Sequence, residues 1–188
     1  MTDTTDDRRL VAQLRSAGGR KAALTELSRR APSTLPDEVT AVLRELLEHD
    51  DPAASRETVI EVILRHPSES LRDVYEQIAC SEPPYRRARA VELLPMWTER
   101  VALGEAANRI LAAAATTDHA WLRFLAAVQS VRLGVDDGTG WQRAAKAIME
   151  SRIPDPMRCI RPQAEEQLDP DERARVNAEL RALGAREL

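Results

Sequence analysis

The chain is poor in aromatic residues, lysine and cysteine, and each shortage narrows the field. Only six aromatic residues occur among 188: Tyr75, Tyr85, Trp97, Trp121, Phe124 and Trp141. Packed strands draw on aromatic and β-branched residues, so the shortage argues against an all-β domain. Two lysines, Lys21 and Lys146, accompany 25 arginines, and the 27 basic residues fall short of the 31 acidic ones, leaving a net charge of −4. That balance lacks the positive field that draws proteins onto nucleic acid irrespective of sequence. Cys80 and Cys159 are too few for a disulfide framework and lack metal-ligand spacing, and are read as two semi-buried thiols. The most apolar run, residues 110–115, is far shorter than the ~20 residues that span a bilayer. The first residues carry acid where an export signal needs base, and a reducing, cytoplasmic location is expected.

What the chain does have is a body of ordinary globular composition, 43% hydrophobic and 31% charged. Arginine forks bind phosphate and carboxylate bidentately. Here arginine, alanine and leucine are abundant throughout, as in a GC-rich, bacterial-like genome, and that bias accounts for them. Nearly every segment has helical period. Leu10, Leu14 and Ala17 mark a first helix that Gly18-Gly19 is expected to stop, and Ala23, Leu24 and Leu27 mark a second, ended at Ala31-Pro32. Pro36-Asp37-Glu38 opens a third with proline and acids in its first turn. Asp50-Asp51-Pro52 stops and restarts the chain. Further helices are expected over 56–65, 71–80, 84–97, 104–115, 120–133, 141–150 and 170–183, the last stopped by Gly184.

The helices come in pairs whose second members start alike. Asp50-Asp-Pro-Ala-Ala-Ser-Arg56, Ser81-Glu-Pro-Pro-Tyr-Arg-Arg87 and Thr117-Asp-His-Ala-Trp-Leu-Arg123 each lead into an apolar run, with Asp155-Pro-Met-Arg-Cys-Ile-Arg161 as a fainter fourth copy. The arginines are spaced 31, 36 and 38 residues apart, the period of a two-helix repeat. The pattern resembles the HEAT-repeat family, whose second helix opens with Asp-Pro, an arginine six residues on, then an Ala/Val/Leu run. The resemblance covers residues 36–165. It implies a ladder in which Arg56, Arg87 and Arg123 bond turn acids or carbonyls of the neighbouring unit. Two departures stand out: Ser81-Glu82 replaces the usual aspartate, and Pro162 directly follows the fourth arginine, where a helix interior would lose ~3 kcal/mol. The fourth copy is therefore expected to be degenerate.

Motifs that carry chemistry fail one by one. His49, His66 and His119 form no HExxH pair, and read as helix-end residues. Gly134-Val-Asp-Asp-Gly138-Thr-Gly140 resembles a phosphate loop, but the third dinucleotide glycine would fall at Arg143, no strand precedes it and no Walker lysine follows. It reads as a capped turn. No Gly-x-Ser-x-Gly elbow or Cys/His pair occurs. No catalytic residue, metal or cofactor is assigned.

Aligning the second helices on their arginines yields a stripe that changes character. It runs Glu57, Glu61, Arg65 in the first pair, Ala88, Glu92, Met96 in the second, and Phe124, Val128, Arg132 in the third. Either the C-terminal helix, through Val176, Leu180 and Leu183, covers Phe124 and Val128, or they form an exposed patch that docks a partner. The first account is favoured, since short arrays need capping.

The expectation is an all-α protein. The resemblance makes it a right-handed α-solenoid of HEAT-like antiparallel helical pairs, about ten helices in one domain over 1–188. Helices within 1–31 and 169–188 would be its caps. Its expected function is that of a non-catalytic scaffold or adaptor binding another protein on the inner face, with contacts at Arg86, Arg89, Glu92, Trp121, Phe124 and Arg132. Two alternatives stand beside it. One is a HEAT-like DNA glycosylase using Asp118, Trp121 and Arg123, with Arg86 and Arg89 on phosphate, against which the net charge weighs. The other is a small inhibitor or immunity-type protein with one tight target. Nucleic acid and membrane are not expected partners, and the sequence leaves the oligomeric state open.

Overall fold

A computed structural model of the chain describes residues 4–49, 55–151 and 160–188, the side chains of 4–6 excepted. The expected turn at 50–52, residues 155–159 of the fourth repeat copy and the Cys159 thiol lie outside the described residues.

All regular structure among the described residues is helical. The α-helices are α1 (Thr4–Arg15), α2 (Ala17–Arg29), α3 (Asp37–Glu48), α4 (Arg56–Arg65), α5 (Arg72–Ser81), α6 (Pro84–Arg100), α7 (Glu105–Ala115), α8 (Ala120–Arg132), α9 (Gly140–Glu150), α10 (Arg161–Gln167) and α11 (Pro170–Ala182), with one 3-10 turn at Glu69–Leu71 before α5.

Three helix boundaries differ from expectation, each for a local reason. The break between α1 and α2 falls at Ser16, whose ψ of 124° is extended, and Gly18-Gly19 lie inside the first turn of α2. A Cβ on Gly19 would sit 3.1 Å from the Gln13 carbonyl oxygen, so the glycine permits close approach of two helices rather than ending one. Helix α6, expected over 84–97 and so through Pro95, runs on to Arg100. Proline removes one hydrogen bond from the interior ladder, but the segment beyond it is anchored by Trp97, fully buried, whose Nε1–H donates to the Leu64 carbonyl at 2.8 Å. Pro162 does not break a helix: it falls in the first turn of α10, where a missing N–H costs nothing. Helix α11 opens with a capping box in which the Asp169 side chain accepts from Glu172 N–H at 2.8 Å and Glu172 accepts from Asp169 N–H at 3.1 Å. It stops at Gly184, φ 70°, with Ala185 N–H reaching back to the Leu180 carbonyl at 2.8 Å.

The chain divides into two compact units, Met1–Ile78 with Met96–Leu103, and Ala79–Pro95 with Gly104–Leu188. In the first, α1 packs on α2 and α3, and α4 packs on α2 and α3. Long aliphatic side chains fill its interior, among them Leu14, Leu27, Leu43, Ile63 and Leu71. Tyr75 stacks on Trp97 with ring centroids 4.0 Å apart, a pairing worth about 0.5–1.5 kcal/mol beyond burial. Burial pushes the Tyr75 phenol well above its ordinary pKa. Polar side chains tie the helix ends. His66, fully buried, places Nε2 3.0 Å from the Leu27 carbonyl and Nδ1 3.0 Å from that of Ser33. Arg20 donates to the Leu14 carbonyl at 2.7 Å. Arg44 donates to the Ser70 carbonyl and to Asp73, and its hydrogen bond holds the Asp73 carboxyl below the usual range.

In the second unit α8 is central. Leu122 and every residue from Phe124 to Ser130 are buried, so the helix is enclosed on nearly all sides. Helices α7 and α9 pack on it, and α11 packs on α9. The side chains between them are small: Ala106, Ala114, Ala126, Ala127, Ala144 and Ala145 are all buried.

Candidate functional site: a groove over α8

The residues expected to touch a partner are engaged inside the chain. Arg86 pairs with Glu82 at 2.6 Å and lies over the exposed Tyr85 ring, 5.2 Å from its centroid. Arg89 pairs with Glu92 at 3.1 Å, and the Glu92 carbonyl faces the Gln129 amide at 3.5 Å. Arg132 forms a bidentate pair with Glu172, 2.7 and 2.8 Å, and donates to the Gln167 carbonyl at 2.9 Å; the Glu172 carboxylate strengthens its hold on the proton. Trp121 is half-buried and stacks on Phe124 at 5.1 Å.

Phe124 is a correction. It and Val128 have no accessible surface, so neither can form a docking patch in this conformation. The same stripe ends at Arg132, which is tied to the α10–α11 corner, so this face of α8 turns inward. Val176 and Leu180 on α11 are also buried, α11 packs on α9, and Leu183 is 40% exposed.

The arginines that recur along the chain hold helix ends. Arg56 donates to the Leu47 carbonyl at the end of α3, 2.7 Å. Arg87 bridges the Ala79 carbonyl in α5, 3.2 Å, and the Ala113 carbonyl in α7, 2.9 Å. Arg123 bridges the Thr117 carbonyl after α7, 2.9 Å, and Glu150 at the end of α9, 2.7 Å. Arg161 reaches the Glu187 carbonyl at 2.8 Å.

The glycine-rich turn between α8 and α9 has its N–H groups filled by its own acids. Asp136 accepts from Gly138 and Gly140 N–H at 2.9 and 3.1 Å, and Asp137 accepts from Thr139 N–H at 3.1 Å and its hydroxyl at 2.6 Å. The Thr139 bonds hold the exposed Asp137 carboxyl below its ordinary range. A phosphate cradle needs those N–H groups vacant. Gly140 is required where it stands, because a Cβ there would collide with Val131 and Asp136.

A groove of about 550 Å³ opens in this unit, within the size range of ligand sites. Helix α8 is its floor, through Ala126, Ala127 and Ser130; α7 supplies Asn108, Leu111, Ala112 and Ala115; α9 supplies Arg143, Lys146, Ala147 and Glu150. Val135, 51% exposed, stands at its rim. The groove exists because the helices around it carry alanine: short side chains fill little of the space between α7 and α9. Its charges are ordered. Glu150 accepts from Arg123 at 2.7 Å and lies 3.8 Å from Lys146; Arg143 pairs with Asp136 at 2.6 Å. Of the expected site residues only Arg123, assigned a structural role, lines it. The alanine-rich stretches at 112–115, 126–127 and 144–147 were visible in sequence, but which of them face a common space depends on how three helices pack.

Among the described residues no group of three or more His, Cys, Asp or Glu side chains is placed to hold a metal, and no helix is long and apolar enough to cross a membrane. No protein-family model, curated protein or solved structure matches the chain.

Proposed function

We propose that the chain is a HEAT-like helical-repeat module that binds another protein without catalysis, and that the binding face is the α7–α9 groove. The groove carries the reading: it is open, walled by small apolar residues and bordered by cationic side chains. Alanine walls let an incoming backbone approach closely, as grooves that take a helix or an extended segment require. The repeat reading is supported by Arg87 and Arg123, which perform the same act one pair apart. Each joins a carbonyl preceding its own helix to the end region of the next pair's first helix. Solenoid repeats are stitched by such nearest-neighbour contacts.

The test is affinity capture from the source lysate, with nuclease, using the native chain beside Ala112→Trp, which fills the groove from an exposed wall position. The reading expects a protein held stoichiometrically by the native chain and lost with Ala112→Trp. Captured material indifferent to Ala112→Trp, or released by nuclease, would overturn it.

A further inference from the structure

Resting on that reading of the groove, we propose that its partner is an acidic peptide segment. An Asp or Glu carboxylate of the partner meets Lys146 and Arg143, and small apolar side chains lie against the alanine walls. The lining holds three cations, Arg123, Arg143 and Lys146, against one carboxylate, Glu150. Glu150 is committed to Arg123 at 2.7 Å. The oxygens of Asp136 and Asp137, beside the groove, are occupied by the N–H groups and hydroxyl of their own turn and by Arg143. The Lys146 ammonium, with three N–H donors, has Glu150 at 3.8 Å, beyond hydrogen-bond reach, and its side chain is 71% exposed. Lys146 stands three residues from Arg143 on α9, so both project to one side of the helix. Arg143 already bonds Asp136, Asp137 and Ser130, and Arg123 bonds Thr117 and Glu150. The unused donors are therefore chiefly those of the Lys146 ammonium, and the complementary ligand supplies an acceptor there.

The rest of the lining decides which acceptor. Leu111, Ala112, Ala115, Ala147 and Val135 offer apolar contact that a lone anion would leave unused. Polynucleotide binding needs a positive field, and the chain carries −4. A peptide supplies both parts at once.

The experiment selects binders from a randomised displayed peptide library on the immobilised full chain, then measures the enriched peptides by fluorescence polarisation against the native chain, Lys146→Glu, Lys146→Arg and Ala112→Trp. Circular dichroism checks that each variant is folded. Enriched peptides should share an acidic residue among small apolar ones. They should weaken by about tenfold or more with Lys146→Glu, keep affinity with Lys146→Arg, and be lost with Ala112→Trp. Peptides without acid that ignore Lys146→Glu yet are lost with Ala112→Trp would overturn the acidic partner and leave the groove a binding face. Peptides indifferent to every variant, or no enrichment, would overturn both readings. Stronger competition by inorganic phosphate or a single-stranded oligonucleotide than by free glutamate would replace the peptide with a phosphate ligand.

Discussion

The two units solve the same packing problem with different side chains. Among the described residues, one of the 22 buried hydrophobic positions in the first unit is alanine, against twelve of 25 in the second. Large residues close a helix cluster by filling its centre, and each contributes much buried area. Alanines contribute little area but let helices approach closely, so the second unit owes more to fit and to polar stitching by Arg87, Arg123 and Arg132. The side-chain volume withheld from its interior is also what leaves the α7–α9 groove open. The first unit fills its centre with large side chains, and the second leaves a groove over α8.

Opposite substitutions should therefore damage the two units. The largest effect is expected from Trp97→Ala, which empties a fully buried site, removes the Tyr75 stack and orphans the Leu64 carbonyl. Denaturant unfolding should show a loss of about 3–5 kcal/mol. A loss below 1 kcal/mol would mean the first unit does not depend on its large residues. In the second unit enlargement is the injury: Ala145→Leu, at a site with no exposed surface, should cost about 1–3 kcal/mol by overpacking. If it stabilises instead, the alanine interior is loosely filled and the contrast fails. Gln129 is a flaw within that interior. It is fully buried, its amide sits 3.5 Å from the Glu92 carbonyl, and its side-chain oxygen has no partner among the described residues. Gln129→Met should gain about 1 kcal/mol in the same assay.

The smallest effect concerns acid. The Asp73 carboxyl titrates below its ordinary range because Arg44 hydrogen-bonds it, so the pair stabilises the fold above that range and loses its contribution as pH falls through the lowered value. Asp73 is largely exposed, which limits the contribution to under about 1 kcal/mol. The stability gap between native chain and Asp73→Asn should close as the pH is lowered below about 4. A gap that persists there would assign the effect to packing rather than charge.

Much of the helical plan was legible because helix ends are local. Asp37-Glu38 behind Pro36, the start of α4 at Arg56, Pro170 and Gly184 act within a turn of where they stand. The misreadings arose where a local signal met a tertiary circumstance. Gly18-Gly19 looked like a stop but serves a close approach to Gln13, and α6, expected to end at Trp97, runs on to Arg100. Phe124 carried the signature of a binding residue, yet exposure is set by what packs over α8. The groove was least legible, since an alanine reads alike whether it lines a core or an opening.

The stack of Tyr75 on Trp97 also makes the chain its own optical instrument. Trp97 is sealed from water against a second ring, whereas Trp121 and Trp141, both in the other unit, are partly accessible. Emission from Trp97 should lie to the blue and resist a soluble quencher, while the other two emit further to the red and are quenched. The colour of intrinsic fluorescence thus reports which half of the molecule a mutation or ligand has disturbed, with no label attached.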